Sequence, residues 1–190
     1  MYILALNGSH SDDGNTAFLL KKILSCFRPE DTEMINVYKA VTDAKNPFCV
    51  NCSSPCSKAC YKDTLLEKAL DAVTRADFVI FGSPVYFGSM TAQMKAFFDK
   101  TRYARGEKLW LGKPAAAVSV GATKYGGQER TIDHIHSCAL VSGMTLIGNG
   151  CEGGMGHFGV SAQRPACEDE YAIKQCENLA MAIKDKINYA

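Results

Sequence analysis

Asp77-Phe78-Val79-Ile80-Phe81-Gly82-Ser83-Pro84-Val85-Tyr86-Phe87-Gly88-Ser89 is the stretch that decides the fold. Phe78, Val79, Ile80 and Phe81 form an apolar block without alternation. A strand with one wet face alternates apolar and polar residues. An unbroken block marks a strand covered on both faces, as in a parallel sheet with helices above and below it. Gly82, Ser83, Pro84 and Gly88 supply turn chemistry, and a helical pattern follows over about 90–102.

The same alternation of apolar run and helical spacing extends both ways from this block. Upstream, residues 2–6 read as a first strand and 16–27 as a helix with Phe18, Leu19, Leu20, Ile23 and Leu24 on one face. Residues 33–38 read as a second strand, and 64–74 as a helix with Leu66, Leu70 and Val73 in register. Downstream, 114–120 reads as a fourth strand, 128–141 as a helix, 144–147 as a short fifth strand and 167–187 as a closing helix. Residues 148–159 read as a long glycine-rich loop. No repeat or linker divides the chain. The expectation is one α/β domain over 1–190, a five-stranded parallel sheet in the order 2-1-3-4-5 with helices on both faces.

Composition narrows the function. The 190 residues carry 21 basic and 20 acidic side chains, a net charge of +1. That balance gives no field to draw nucleic acid or an anionic membrane, so neither is expected as a partner. No stretch reaches the ~20 apolar residues of a bilayer span. The first residues lack a basic n-region and a long apolar run, so a cytoplasmic location is expected. Nine cysteines in such a chain do not suggest a disulfide framework.

In a 2-1-3-4-5 sheet the ligand crevice lies beyond the carboxyl ends of strands 1 and 3. After strand 1 comes Asn7-Gly8-Ser9-His10-Ser11-Asp12-Asp13-Gly14-Asn15-Thr16 and then a helix. Glycines let the backbone curl, and neutral hydroxyl and amide donors surround a helix N-terminus, which suits a phosphate bound and kept. Asp12 and Asp13 are expected to face solvent. The plainer reading is a polar loop in which Asp13 or Asn15 caps the helix. After strand 3, Tyr86 and Phe87 offer aromatic surface for a flat heterocycle, or else fill the sheet edge by packing. The turn over 121–127 reaches the same rim.

Gly8-Ser9 with Gly14-Asn15-Thr16, the run from Gly82 through Ser89 continued by Met90-Thr91-Ala92-Gln93-Met94-Lys95-Ala96-Phe97-Phe98-Asp99, and Gly126-Gly127-Gln128-Glu129 resemble the NADPH-dependent FMN reductase and iron-sulfur flavoprotein family of flavodoxin-like proteins. The resemblance runs to about Gly150. It implies a flavodoxin-like fold, bound FMN and assembly as a homodimer or homotetramer. It places Ser9, Ser11, Asn15 and Thr16 at the phosphate and Pro84, Val85, Tyr86, Phe87 and Gly88 along the isoalloxazine edge. Gly121, Ala122, Thr123, Tyr125, Gly126 and Gly127 would close its other side.

Cys49, Cys52, Cys56 and Cys60 fall within twelve residues of a loop over about 46–62. Four such thiols suit a [4Fe–4S] cluster or zinc. The resembling family has two residues between the second and third cysteines. Here Ser53-Ser54-Pro55 stand there, and Pro55 restricts Ser54 to extended conformations. Free or redox-active thiols are the alternative. His134 and Cys138 sit four apart on one predicted helix and read as ordinary helix positions. Trp110 reads as packing, and Cys151, Cys167 and Cys176 as buried small apolar residues.

The function expected from these residues is an FMN-dependent oxidoreductase taking electrons from NAD(P)H to a small-molecule or protein acceptor. No side chain is singled out as catalytic, because the cofactor carries the chemistry. The alternative is an iron-sulfur flavoprotein that carries electrons between redox proteins.

Overall fold

A computed structural model describes residues 1–152 and 154–188. In chain order it contains β1 (Ile3–Asn7), α1 (Asn15–Leu24), β2 (Thr32–Asn36), α2 (Val37–Asp43), α3 (Leu65–Arg75), β3 (Phe78–Pro84), α4 (Ala92–Asp99), α5 (Arg102–Gly106), β4 (Pro114–Gly121), α6 (Gln128–Val141), β5 (Thr145–Leu146), β6 (Val160–Gln163) and α7 (Glu170–Ile187). The strands pair in parallel in the order β2-β1-β3-β4-β5. This is the expected doubly wound sheet.

The side chains of each central strand divide between two cores because successive residues point to opposite faces. Ile3, Ala5, Phe78, Ile80, Ala116 and Val118 meet Leu19, Leu20 and Ile23 of α1 and Cys176, Leu179 and Ile183 of α7. Leu4, Leu6, Val79, Phe81, Ala115 and Ala117 meet residues of α2, α3, α4 and α6. Phe81 lies 4.9 Å from Phe98, and Phe97 stacks 6.4 Å from Trp110. Trp110 is buried and donates from its indole to the Thr74 hydroxyl at 3.1 Å, so it packs as read.

Three segments differ from the reading of the sequence. The second strand stops at Asn36, whose side chain accepts from the Lys39 amide at 3.1 Å and starts α2, so Val37 and Tyr38 are helical. The pattern over 90–102 splits into α4 and α5. The fifth strand position holds two pieces. β5 pairs with Pro114 and Ala115, whereas β6 pairs with Val118 through Gly121, and the chain leaves the sheet between them after Ile147, whose amide still donates to the Ala115 carbonyl at 2.8 Å. Among the described residues no helix is long and apolar enough to cross a membrane.

Candidate functional site

The loop from β1 to α1 is wound by its own side chains. Asn7 Oδ1 accepts from the Ser9 amide at 3.0 Å, Ser9 Oγ from the Ser11 amide at 3.2 Å, and Ser11 Oγ from the Asp13 amide at 3.3 Å. Every second amide is therefore engaged by the residue two before it. The amides of His10, Asp12 and Gly14 have no partner among the described residues, and neither do those of Asn15, Thr16 and Ala17 in the first turn of α1. Gly14 is the N-cap and offers no side chain. A helix start with unfilled donors and its positive dipole end is a site for an anion. Both serines accept through oxygen and keep a proton to donate. Asp12 is turned toward Lys39 and Asn36, and Asp13 toward Lys21 at 2.6 Å, so both carboxylates face away as expected. The Lys39 and Asn36 hydrogen bonds hold the Asp12 carboxyl below its ordinary value.

Two expected phosphate residues play different parts. Thr16 is buried, with no partner for its hydroxyl among the described residues. Asn15 Oδ1 accepts from the Ala166 amide at 2.7 Å, which ties the start of α1 to the 3-10 turn ahead of α7 and leaves the Asn15 amide NH2 as the group available to a ligand.

Gly8 couples this loop to the turn after β3. Its amide donates to the Gly82 carbonyl at 2.7 Å. Its carbonyl accepts from Thr91 Oγ1 at 2.8 Å and Gln93 Nε2 at 2.7 Å. A Cβ at Gly8 would lie 2.8 Å from the Gly82 carbonyl oxygen and 2.9 Å from Met94 Cε, so only glycine allows this approach. Thr91 also caps α4, accepting from the Met94 amide. Thr91 and Gln93 carry this coupling. They appeared in the sequence only within the family run, and nothing local marked them as a brace.

The turn after β3 is tight. Tyr86 and Ser89 exchange backbone hydrogen bonds at 2.9 and 3.1 Å, with Phe87 at φ +50° and Gly88 at φ +73°. Two successive positive φ values make this a turn of the kind Asn-Gly favours, and a phenylalanine in the first place is strained. Its ring is fully exposed, and Tyr86 is half exposed. The amides of Phe87 and Gly88 have no partner among the described residues. Ser89 Oγ lies 2.9 Å from His134 Nδ1, which fixes the turn to α6.

The 121–127 turn is held from beneath by buried Gln128, which donates to the Thr123 carbonyl at 2.6 Å and the Ala162 carbonyl at 3.1 Å. Ala122, Thr123 and Tyr125 are exposed on it. Gly127 comes close to the neighbouring turn: a Cβ there would lie 3.4 Å from Gly88 Cα and 3.5 Å from Val85. The three loops carrying the expected cofactor residues thus form one connected rim. Farther along α6, His136 is buried edge-on to Phe158, its Nε2 unpartnered, and burial holds its pKa down.

The cysteine segment behaves differently. Cys52 is exposed and Cys49, Cys56 and Cys60 are partly buried, and among the described residues no three His, Cys, Asp or Glu side chains are placed to hold one metal ion. As folded, the four cysteines do not fit a cluster. Cys60 Sγ instead accepts from the ammonium of Lys100 at 3.2 Å, and the same ammonium donates to the Asn46 carbonyl at 2.5 Å. Lys100 is 2% exposed, so it closes the segment from below. Cys176 is buried as read, its thiol pushed up to about 12 by desolvation, but Cys167 is exposed and Cys151 only partly buried. Cys167 lies in a one-turn 3-10 helix ahead of α7, outside the core, and Cys151 on the excursion between β5 and β6.

An uncapped helix start ringed by neutral donors, facing an aromatic turn across the switch point of a parallel sheet, defines a flavodoxin-like FMN protein. The chain belongs to the NADPH-dependent FMN reductase family, whose profile matches residues 1–152. It is similar to an iron-sulfur flavoprotein of Methanocaldococcus jannaschii, 31% identical over 98% of this chain and 97% of that one. It is also similar to an NAD(P)H dehydrogenase (quinone) of Trichlorobacter lovleyi, 42% identical over 42% of this chain and 39% of that one. Its fold is shared with a flavoenzyme NAD(P)H:(acceptor) oxidoreductase of Paracoccus denitrificans, at a TM-score of 0.68 and 16% identity over 98% and 97% of the two chains.

Proposed function

We propose that this chain is an FMN-dependent oxidoreductase that takes electrons from a reduced nicotinamide nucleotide to a quinone or other small acceptor. The observation that supports this most directly is the set of six unpartnered amides, at His10, Asp12, Gly14, Asn15, Thr16 and Ala17, framed by Ser9 and Ser11. Bound FMN supplies hydride chemistry, and the protein supplies position and electrostatics. The cradle holds the phosphate through neutral donors. The free amides of Phe87 and Gly88 are placed on the turn that would border the ring, and Gly8, Thr91 and Gln93 keep head and tail sites at a fixed separation. Exposed Tyr86, Phe87 and Tyr125 give the rim an apolar surface suited to a flat acceptor or to a second copy of the chain in a dimer or tetramer.

Titrating flavin-free protein with FMN, then mixing the loaded protein with NADPH or NADH and a quinone, tests this reading. Stoichiometric FMN binding with rapid nucleotide oxidation supports it. Protein that stays free of flavin in excess FMN overturns it. The second reading, an electron carrier, draws on the near full-length similarity to an iron-sulfur flavoprotein. Inertness to both nucleotides together with fast exchange with a reduced ferredoxin would favour it. Iron and acid-labile sulfide in protein purified without air would show that Cys49, Cys52, Cys56 and Cys60 rearrange from the positions seen here to hold a cluster.

A further inference from the structure

A groove of about 460 Å³ lies between α6 and the excursion that leaves the sheet after β5. That is the size of a site for a small organic ligand. His136 forms part of its wall and stands eight residues beyond Gln128, about 12 Å along α6 from the 121–127 turn. The His136 end of the groove is thus remote from the loops after β1 and β3. Its walls are mostly apolar: Phe158 and Leu146 supply side chains, and Gly148 and Gly156 supply bare backbone. A Cβ at Gly148 would lie 2.5 Å from the His157 carbonyl oxygen, so this wall packs peptide against peptide.

One group in these walls is out of balance. His136 is 8% exposed, and its Nε2 is closed to water and has no hydrogen-bond partner among the described residues. A buried nitrogen left in this state is costly, and most such groups in native proteins have a partner. Burial keeps the imidazole neutral, so it suits an uncharged hydroxyl rather than an anion. In the small cavity that adjoins the groove, the Asn149 and Gln175 side chains are already committed. They bond each other, and Asn149 Oδ1 accepts from the His157 amide at 2.5 Å. Glu129 is the one carboxylate on the groove wall, and among the described residues no lysine or arginine lines it. A negatively charged ligand meets like charge there and nothing to neutralise it.

The geometry points to a second ligand site in this groove, one that binds a small uncharged aromatic molecule carrying a hydroxyl. The ring packs against Phe158 and Leu146, and the hydroxyl bonds His136 Nε2. Phe158 is the side chain that moves to admit it: its ring stands edge-on to the imidazole at 6.4 Å and is 62% exposed. The pairing fills the apolar walls and supplies the missing hydrogen bond in one step. This site depends on α6 and the excursion, and it stands apart from the reductase reading.

Calorimetry on protein saturated with FMN, using 4-methylphenol, toluene and 4-hydroxybenzoate, tests the site. 4-Methylphenol should bind one to one. Toluene, which lacks the hydroxyl, should bind at least about fivefold more weakly. 4-Hydroxybenzoate should bind about threefold more weakly than 4-methylphenol, because its carboxylate meets Glu129. In His136→Phe, 4-methylphenol should fall to the affinity of toluene while toluene binds as before. Nitrogen-15 NMR of the histidine-labelled wild-type protein gives a readout that needs no variant: 4-methylphenol should shift the His136 Nε2 resonance. The visible flavin spectrum should stay unchanged, which separates this site from stacking on the cofactor. Equal binding of 4-methylphenol and toluene, a His136→Phe protein that binds 4-methylphenol like the wild type, or an unmoved His136 resonance overturns the site. Tight binding of 4-hydroxybenzoate, equal to that of 4-methylphenol, overturns the selection for an uncharged ligand.

Discussion

Replacing Thr91 with Val and Gln93 with Leu, singly and together, measures how strongly the Gly8 carbonyl joins the two halves of the site. Thr91 is fully buried, and its hydroxyl both caps α4 and donates to Gly8. Valine keeps its shape, so the loss is one cap at about 1 kcal/mol and one hydrogen bond at about 1 kcal/mol. Gln93→Leu removes one bond, again about 1 kcal/mol. In each single variant the buried carbonyl keeps one partner. In the double variant it has none, and an orphaned buried acceptor adds about 1–3 kcal/mol beyond the sum. At roughly 2–4 °C per kcal/mol for a chain of this length, Thr91→Val should lower Tm by about 4–8 °C. Thr91→Ser, which retains the hydroxyl, should recover most of the loss. Urea unfolding of the four proteins gives the coupling energy, and fluorescence titration with FMN should show the double variant binding more weakly than either single one. Singles of the expected size with zero coupling would refute the idea that this one carbonyl is the shared joint.

Three other substitutions probe separate parts of the rim. Asn15→Asp keeps an acceptor for the Ala166 amide and adds an anion at the α1 N-terminus, so stability measured by urea should hold while FMN affinity falls at least about tenfold; Asn15→Ala should instead lose about 1–3 kcal/mol of stability. Phe87→Asn relieves the positive-φ strain and should raise Tm, with up to about 1 kcal/mol gained, while slowing quinone reduction through loss of the exposed ring. His136 has a folded pKa below its ordinary 6.5, so the unfolded chain binds more protons in the interval beneath that value and stability falls as pH drops through it. His136→Leu should flatten the decline of urea stability between pH 7 and 5.

The sheet was legible in the sequence wherever burial on both faces left an unbroken apolar signature, as in Phe78 to Phe81. It was illegible at β6, because Val160-Ser161-Ala162-Gln163 is a short edge piece whose strand character comes from pairing with β4. Residues 33–38 misled because Asn36 both ends a strand and caps a helix, and the apolar Val37 and Tyr38 continue the pattern across that boundary. The cradle was readable as a set of donors around a helix start. Its winding, in which alternate amides are engaged and alternate ones left, depends on rotamers that spacing does not encode. The brace from Thr91 and Gln93 to Gly8 spans more than eighty residues, and no local pattern could disclose it.

The fifth lane of the sheet is shared by two pieces, and the detour between them is clipped at its base. The Asn149 amide donates to the His157 carbonyl at 3.3 Å, and the His157 amide returns to Asn149 Oδ1 at 2.5 Å. A bulge pinched off in this way can lengthen at little entropic cost, because its ends already meet. Relatives or engineered versions can therefore graft new peptide near the exposed Met155 without shifting any strand's register. A reporter or affinity handle placed there would hang from the edge of the molecule while the rim formed by the loops after β1, β3 and β4 keeps its shape.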